Sequence, residues 1–139
     1  MISNCNEISK NKIISISENN MKFVIKNKSN FKINKVFVDS CYIKSGLKCD
    51  YLFEIIHIRV VNRVLYVELK GKNIEHAIKQ LQETINHCKT IHINIHKESY
   101  IIASKIPRAS VASQILKKRF KAKNNIQLFI DTKYKEIYL

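Results

Sequence analysis

"VLYVELKGKNIEHAIKQLQETI", residues 64–85, changes its hydrophobic period partway along. Val67 and Leu69 alternate with Glu68 and Lys70, the two-residue period of a strand that sends the apolar pair to one face and the charged pair to the other. Beyond Asn73, a side chain suited to an N-cap, Ile74, Ala77, Ile78, Leu81, Ile85 and Cys88 recur at i, i+3, i+4 and i+7. The spacing predicts a helix from 74 to 88 whose apolar stripe must pack back onto the sheet it has just left, with Gly71 releasing the strand.

Working outward, "INKVFVDSCYI" (33–43) and "CDYLFEIIHIRVV" (49–61) are rich in β-branched and aromatic residues, and Ser45–Gly46 separates them as a turn. Asn62 and Arg63 read as a tight reversal into the strand ending at Lys70, so three consecutive strands form an antiparallel meander. After the helix, "TIHINI" (90–95) and "SYIIASKI" (99–106) supply further strand material, which Pro107 ends. "ASVASQILKKRFKAKN" (109–124) is a second helix, with Val111, Ile115, Leu116 and Phe120 inward. "IQLFID" and "KEIYL" close the chain as strands. Residues 6–28 are the least legible and read as an amphipathic helix followed by a short strand. The expectation is one domain over 1–139, with 1–30 poorly defined. Its class is α/β (α+β), in the order (α)βββαβ(β)αβ, a mixed sheet flanked by helices.

Twenty-five Lys and Arg against eleven Asp and Glu leave a net charge of +14. That is more than solubility asks of so small a domain, and it points to a polyanionic partner. The plainer reading is that Lys, Asn and Ile are inflated together by a biased composition. Lys72 and the helix face carrying Lys117, Lys118, Arg119, Lys121 and Lys123 are the candidate nucleic-acid-binding residues. Cys5, Cys41, Cys49 and Cys88 lack Cys-x-x-Cys spacing, which argues against structural zinc and for four free thiols in a cytoplasmic protein. No apolar run reaches the ~18 residues of a membrane span. His87, His92 and His96 invite a metal reading, but on a strand the last two lie about 13 Å apart, so they read as surface histidines.

Asp39, Asp50 and Glu68 fall within segments otherwise apolar, where a charge is costly unless it is paired or holds a metal. Asp50 and Glu68 supply hard oxygens suited to Mg²⁺, and Lys70 supplies a cation beside them, the components that phosphodiester hydrolysis uses. The plainer alternative is a solvated surface pair. A strict hairpin turning near Asn62 sets Glu54, not Asp50, opposite Glu68, so Asp50 joins the group only if a strand bends or bulges.

An aspartate, then Glu-x-Lys at the end of the next strand, then an amphipathic helix resembles the PD-(D/E)xK nuclease superfamily over residues 31–95. The likeness rests on "CDYLFEI", "YVELKGKN" and "IEHAIKQLQETI". No proline precedes Asp50. The resemblance implies a restriction endonuclease-like core and an endonuclease or exonuclease dependent on Mg²⁺, with Mn²⁺ substituting. It implies Asp50, Glu68 and the Leu69 carbonyl as metal ligands, Lys70 as catalytic lysine, and Gln80 as a helix-borne catalytic residue of the kind found in RecB- and Cas4-like branches. Gln80 also reads as an ordinary solvated glutamine. Members commonly add an acid from a first helix, for which Glu7 and Glu18 are candidates, with Asp39 a further contributor. The implied substrate is nucleic acid, DNA favoured over RNA, and small members are often homodimers. A non-catalytic nucleic-acid-binding or adaptor module on the same fold is the alternative.

Overall fold

The hairpin that joins β5 (Tyr51–His57) to β6 (Val60–Lys70) turns at Ile58 and Arg59, not at Asn62 and Arg63. Both turn residues have positive φ, 47° and 65°, the requirement of the two-residue turn that matches strand twist. That turn normally announces itself with Asn-Gly, and Ile-Arg gives no such signal. Asn62 is instead the extra residue of a bulge, because Ile55 pairs with Arg63 while Ile56 pairs with Val61.

The computed structural model describes residues 1–70, 72–105 and 110–139, without the side chains of 110 and 111. Gly71 and Pro107, and the inward placing of Val111, lie outside the described residues. The main sheet runs β1 (Asn6–Ser9), β4 (Lys32–Phe37), β5, β6, β7 (His96–Ala103), β8 (Gln127–Thr132). From β1 to β6 the pairings are antiparallel, and β6, β7 and β8 are parallel. The expected meander is therefore present as β4–β5–β6. α1 (Ile74–His87) and α2 (Ser110–Asn124) provide the two crossovers that parallel neighbours need. Asn73 caps α1 as its position suggested, its Oδ1 accepting from the His76 N–H at 3.0 Å.

Strand alternation divides the core in two. Leu52, Val64, Tyr66, Ile101 and Leu128 face the helices and meet Ala77, Leu81, Ile85 and Phe120. Ile33, Phe53, Leu65, Val67, Leu69 and Tyr100 point the other way. That second face is covered by a three-stranded sheet, β2 (Ile13–Glu18), β3 (Met21–Lys26) and β9 (Tyr134–Tyr138), not by a helix. Phe23 of β3 is fully buried there, 5.0 Å from Tyr100 and 6.1 Å from Phe53 between ring centroids. The N-terminal helix is thus corrected to strands. Ile14 and Ile16 alternate with exposed Ser15 and Ser17, a two-residue period that the abundant Asn and Ser obscured.

Further corrections follow. The segment 90–95 is turn, not strand, and Ile115 is exposed on α2. β4 stops at Phe37, and Asp39–Ile43 forms a turn with one isolated bridge, closed by the Tyr42 and Ile43 N–H groups donating to the Phe37 and Val38 carbonyls. Cys5 and Cys41 are joined as a disulfide, while Cys49 and Cys88 are buried and free. Disulfides persist in oxidising surroundings, so the argument for a cytoplasmic protein from four free thiols does not hold. Among the described residues no helix is long and apolar enough to cross a membrane.

His92 also departs from expectation, being fully buried. Its Nε2 lies 2.7 Å from Glu54 Oε2 and its Nδ1 2.7 Å from the Tyr66 hydroxyl. The tautomer that satisfies every group has Tyr66 donating to Nδ1 and Nε2–H donating to Glu54. Glu54 Oε1 further accepts from the Ile2 N–H at 2.9 Å and Asn34 Nδ2 at 2.8 Å. One carboxylate thereby ties the N-terminus, β4, β5 and the segment after α1. Burial works to raise the Glu54 pKa, but the hydrogen bonds from His92, Asn34 and Ile2 outweigh it and hold the group below its usual value. Because the folded value is the depressed one, the stabilisation is complete above the usual carboxylate range and is lost as pH falls through the folded value. In denaturant titrations Glu54→Gln should cost about 1–3 kcal/mol at pH 7, with the difference from wild type shrinking below about pH 4.

Candidate active site

The bulge at Asn62 decides which acid meets Glu68. Continued from the turn without interruption, the pairing would set Cys49 opposite Glu68. The extra residue advances it by one, so Tyr51 pairs with Val67 and the next position out brings Asp50 opposite Glu68. Asp50 Oδ2 accepts the Leu69 N–H at 2.8 Å, fixing the carboxylate against the end of β6. Its own carbonyl accepts from Val38 N at 3.0 Å and Asp39 N at 3.3 Å, joining the turn after β4 to the same place.

Glu68 is 2% exposed, and its Oε1 is buried without a hydrogen-bond partner. Val67 and Leu69 belong to the core on the opposite face, as the alternation predicted. Burial, and then the adjacent Asp50 charge, push the Glu68 carboxyl up to about 9, against the opposing pull of Lys70. Asp50 is raised as well, by burial first, with the Leu69 N–H working against it. Two carboxyls thus share a poorly solvated place and resist being ionised together. Lys70, half-buried at the end of β6, is the cation acting on them.

α1 is pegged to the start of β5. The Cys49 N–H donates to Thr84 Oγ1 at 2.8 Å, and Gln80 Nε2 donates to the Lys48 carbonyl at 3.1 Å. Gln80 is therefore not a solvated glutamine, and its Oε1 is, like Glu68 Oε1, buried without a partner. Buried acceptors are seldom left unpaired, since each forfeits about 1–3 kcal/mol of solvation.

A cavity of about 220 Å³ opens over Asp50, walled by Ser17, Glu18, Phe37, Asp39 and Tyr51. Glu18 ends β2 beside a turn whose Asn19 and Asn20 have φ of 48° and 66°, so it arrives from a strand hairpin rather than a helix. Glu18 and Asp39 both act electrostatically on Asp50. Glu7 is exposed and pairs with Lys35 at 3.7 Å, outside this cavity.

The basic residues form a second feature. Lys118, Arg119, Lys121 and Lys123 are exposed on α2 and Lys117 is half-buried. Lys72 is exposed and shares a cavity of about 450 Å³ with Asn73, Ile74 and the α2 residues Ala112, Ser113 and Leu116. The cavity adjoins the ends of the parallel strands, where open sheets of this kind place their ligands.

Mg²⁺ takes oxygen ligands in near-octahedral geometry and retains several waters. Asp50, Glu68 and Gln80 Oε1 offer oxygens of that kind, and Glu68 Oε1 and Gln80 Oε1 are buried acceptors with no hydrogen-bond partner. Among the described residues, however, no three His, Cys, Asp or Glu groups converge closely enough to hold a metal. The donors fit Mg²⁺ in kind, as two carboxylates supplemented by neutral oxygens.

Comparison with protein-family models, curated proteins and solved structures finds no match.

The raised carboxyl sets a stability prediction. Glu68 keeps its proton in the folded chain and loses it in the unfolded one between pH 4.5 and about 9. Over that window the unfolded state binds fewer protons, so rising pH destabilises the fold. Glu68→Gln, measured in chelator by thermal denaturation at pH 8, should melt a few degrees higher than wild type and show a flatter dependence on pH.

Proposed function

We propose that this chain is a metal-dependent nuclease that hydrolyses phosphodiester bonds of nucleic acid, DNA favoured over RNA, on a restriction endonuclease-like core. The observation that carries the reading is the unpaired Glu68 Oε1 set directly across from Asp50 at the end of β6. A buried carboxyl pair with an unpaired acceptor oxygen is costly for stability and useful for holding a cation. The β4–β5–β6–α1–β7 order supports the same reading, as does the basic face of α2.

Each residue then has a role. Mg²⁺ or Mn²⁺, when bound, supplies Lewis acidity toward a phosphate oxygen and a water made easier to deprotonate. Asp50 and Glu68 would hold it together with the Leu69 carbonyl, Glu68 acting as a ligand in its ionised form. The Leu69 N–H aims the Asp50 carboxylate. Gln80, anchored through Nε2 to Lys48, presents Oε1 to a bound water. Lys70 orients the attacking water and offsets charge developing on phosphorus. Glu18 and Asp39 line the approach over Asp50. Lys72 and the α2 cations track the phosphate backbone without reading sequence. Two copies of so small a domain would together cover more of a substrate, which favours a homodimer.

A second reading, nucleic-acid binding without cleavage, draws on the same raised Glu68, since a protonated carboxyl is a poor cation ligand. Supercoiled, linear, single-stranded and branched DNA, each with Mg²⁺ and Mn²⁺, separate the two. Cleavage of at least one substrate is expected, falling by ~100-fold or more in Asp50→Asn, Glu68→Gln and Lys70→Ala while affinity changes little. Tight binding with no cleavage of any substrate by the wild type establishes the second reading.

A further inference from the structure

At the opposite end of β6 from Glu68, some eight residues or roughly 26 Å along the strand, lies a cavity of about 440 Å³ that the nuclease reading does not use. Three of the segments that wall it are the N-terminus, through Met1, the start of β6, through Val60 and Val61, and the turns after α1, through Ile91 and Ile95. All three are fastened to one buried group. Ile2 donates to Glu54, His92 pairs with Glu54, and Glu54 itself belongs to β5. The cavity is therefore preformed, the usual condition of a small-molecule site, and its volume lies in the range of such sites.

Its chemistry is divided between floor and mouth. Ile56, with Glu54 and His92 beneath, lines the interior, while Lys32 and Arg59 stand among the walls. Among the described residues neither cation has a carboxylate within 4.0 Å. The buried Glu54 charge repels an anion from the floor, whereas Lys32 and Arg59 attract one. Ile58 and Arg59 hold the left-handed φ of the β5–β6 turn, and that turn sets Arg59 beside Val60 at the cavity. Val60 and Ile91 are 63% and 47% exposed at the rim, leaving apolar surface in water where folding gains nothing from it.

We propose that this cavity binds a small amphipathic anion, one apolar chain or ring system bearing a carboxylate, with its body over Ile56 and its head between Lys32 and Arg59. The site is independent of the nuclease reading. Dodecanoate below its micellar concentration is the probe, with dodecanol as its neutral counterpart. The chain has no tryptophan, so Ile91→Trp places a single fluorescent reporter at the mouth, and calorimetry on the wild type supplies a label-free measurement. Saturable binding of one dodecanoate per chain is expected, at least tenfold tighter than dodecanol. It should weaken at least tenfold in Lys32→Glu/Arg59→Glu and by less than twofold in Lys22→Glu/Lys79→Glu, which makes the same charge change on exposed lysines elsewhere. Equal weakening in both double variants would mean attraction by net charge alone and overturns the proposal. So does dodecanol binding as tightly as dodecanoate, absence of binding by the wild type in calorimetry, or association only with anionic vesicles.

Discussion

One unpaired backbone residue, Asn62, sets the geometry on which the candidate site depends. Strand pairing is discrete, so a bulge cannot adjust a register slightly; it moves every later partner by one position. Here that step replaces Cys49 with Asp50 opposite Glu68. A free thiol across from a buried carboxyl would offer no hard-oxygen pair, whereas two carboxyls across a strand pair do. The Leu69 N–H then holds Asp50 in place, and the Cys49–Thr84 hydrogen bond fastens the same corner to α1. The chemistry proposed for the chain follows from a single inserted residue near the far end of the hairpin.

Glu54 on β5 and Glu68 on β6 illustrate opposite treatments of a buried acid. Glu54 is saturated by three donors, which outweigh the effect of burial and hold its pKa down. Glu68 has the same burial and an unpaired oxygen, with another carboxyl for a neighbour, and its pKa is driven up. The first arrangement locks structure together. The second stores unfavourable electrostatics that a cation, if bound there, would relieve, and such uncompensated groups concentrate where proteins act on other molecules.

Much of this was legible in the sequence where periodicity was strong. The alternation in Val67–Lys70 put Glu68 on the face opposite Val67 and Leu69, and the apolar stripe with its Asn73 cap defined α1 closely. Legibility failed where the deciding signal was not local. Ile58–Arg59 is a turn without turn residues, so local sequence puts the reversal at Asn62–Arg63; the bulge expected to bring Asp50 to Glu68 is present, at Asn62 itself. Residues 13–18 do alternate, yet Ser and Asn weaken the pattern, and the strand that presents Glu18 reads locally as a helix. His92 looked solvated because its partners Glu54 and Tyr66 are 38 and 26 residues away. The Cys5–Cys41 link spans 36 residues and has no spacing motif to announce it.

The central claim is that Asp50 and Glu68 form one cation site. Calorimetric titration of Mn²⁺ into the wild type, Asp50→Asn and Glu68→Gln tests it without reference to any substrate. The account predicts one saturable site in the wild type, weakened at least tenfold in each variant, with all three proteins melting cooperatively. A wild type that takes up no Mn²⁺, or a Glu68→Gln variant that binds it as tightly, would contradict the account.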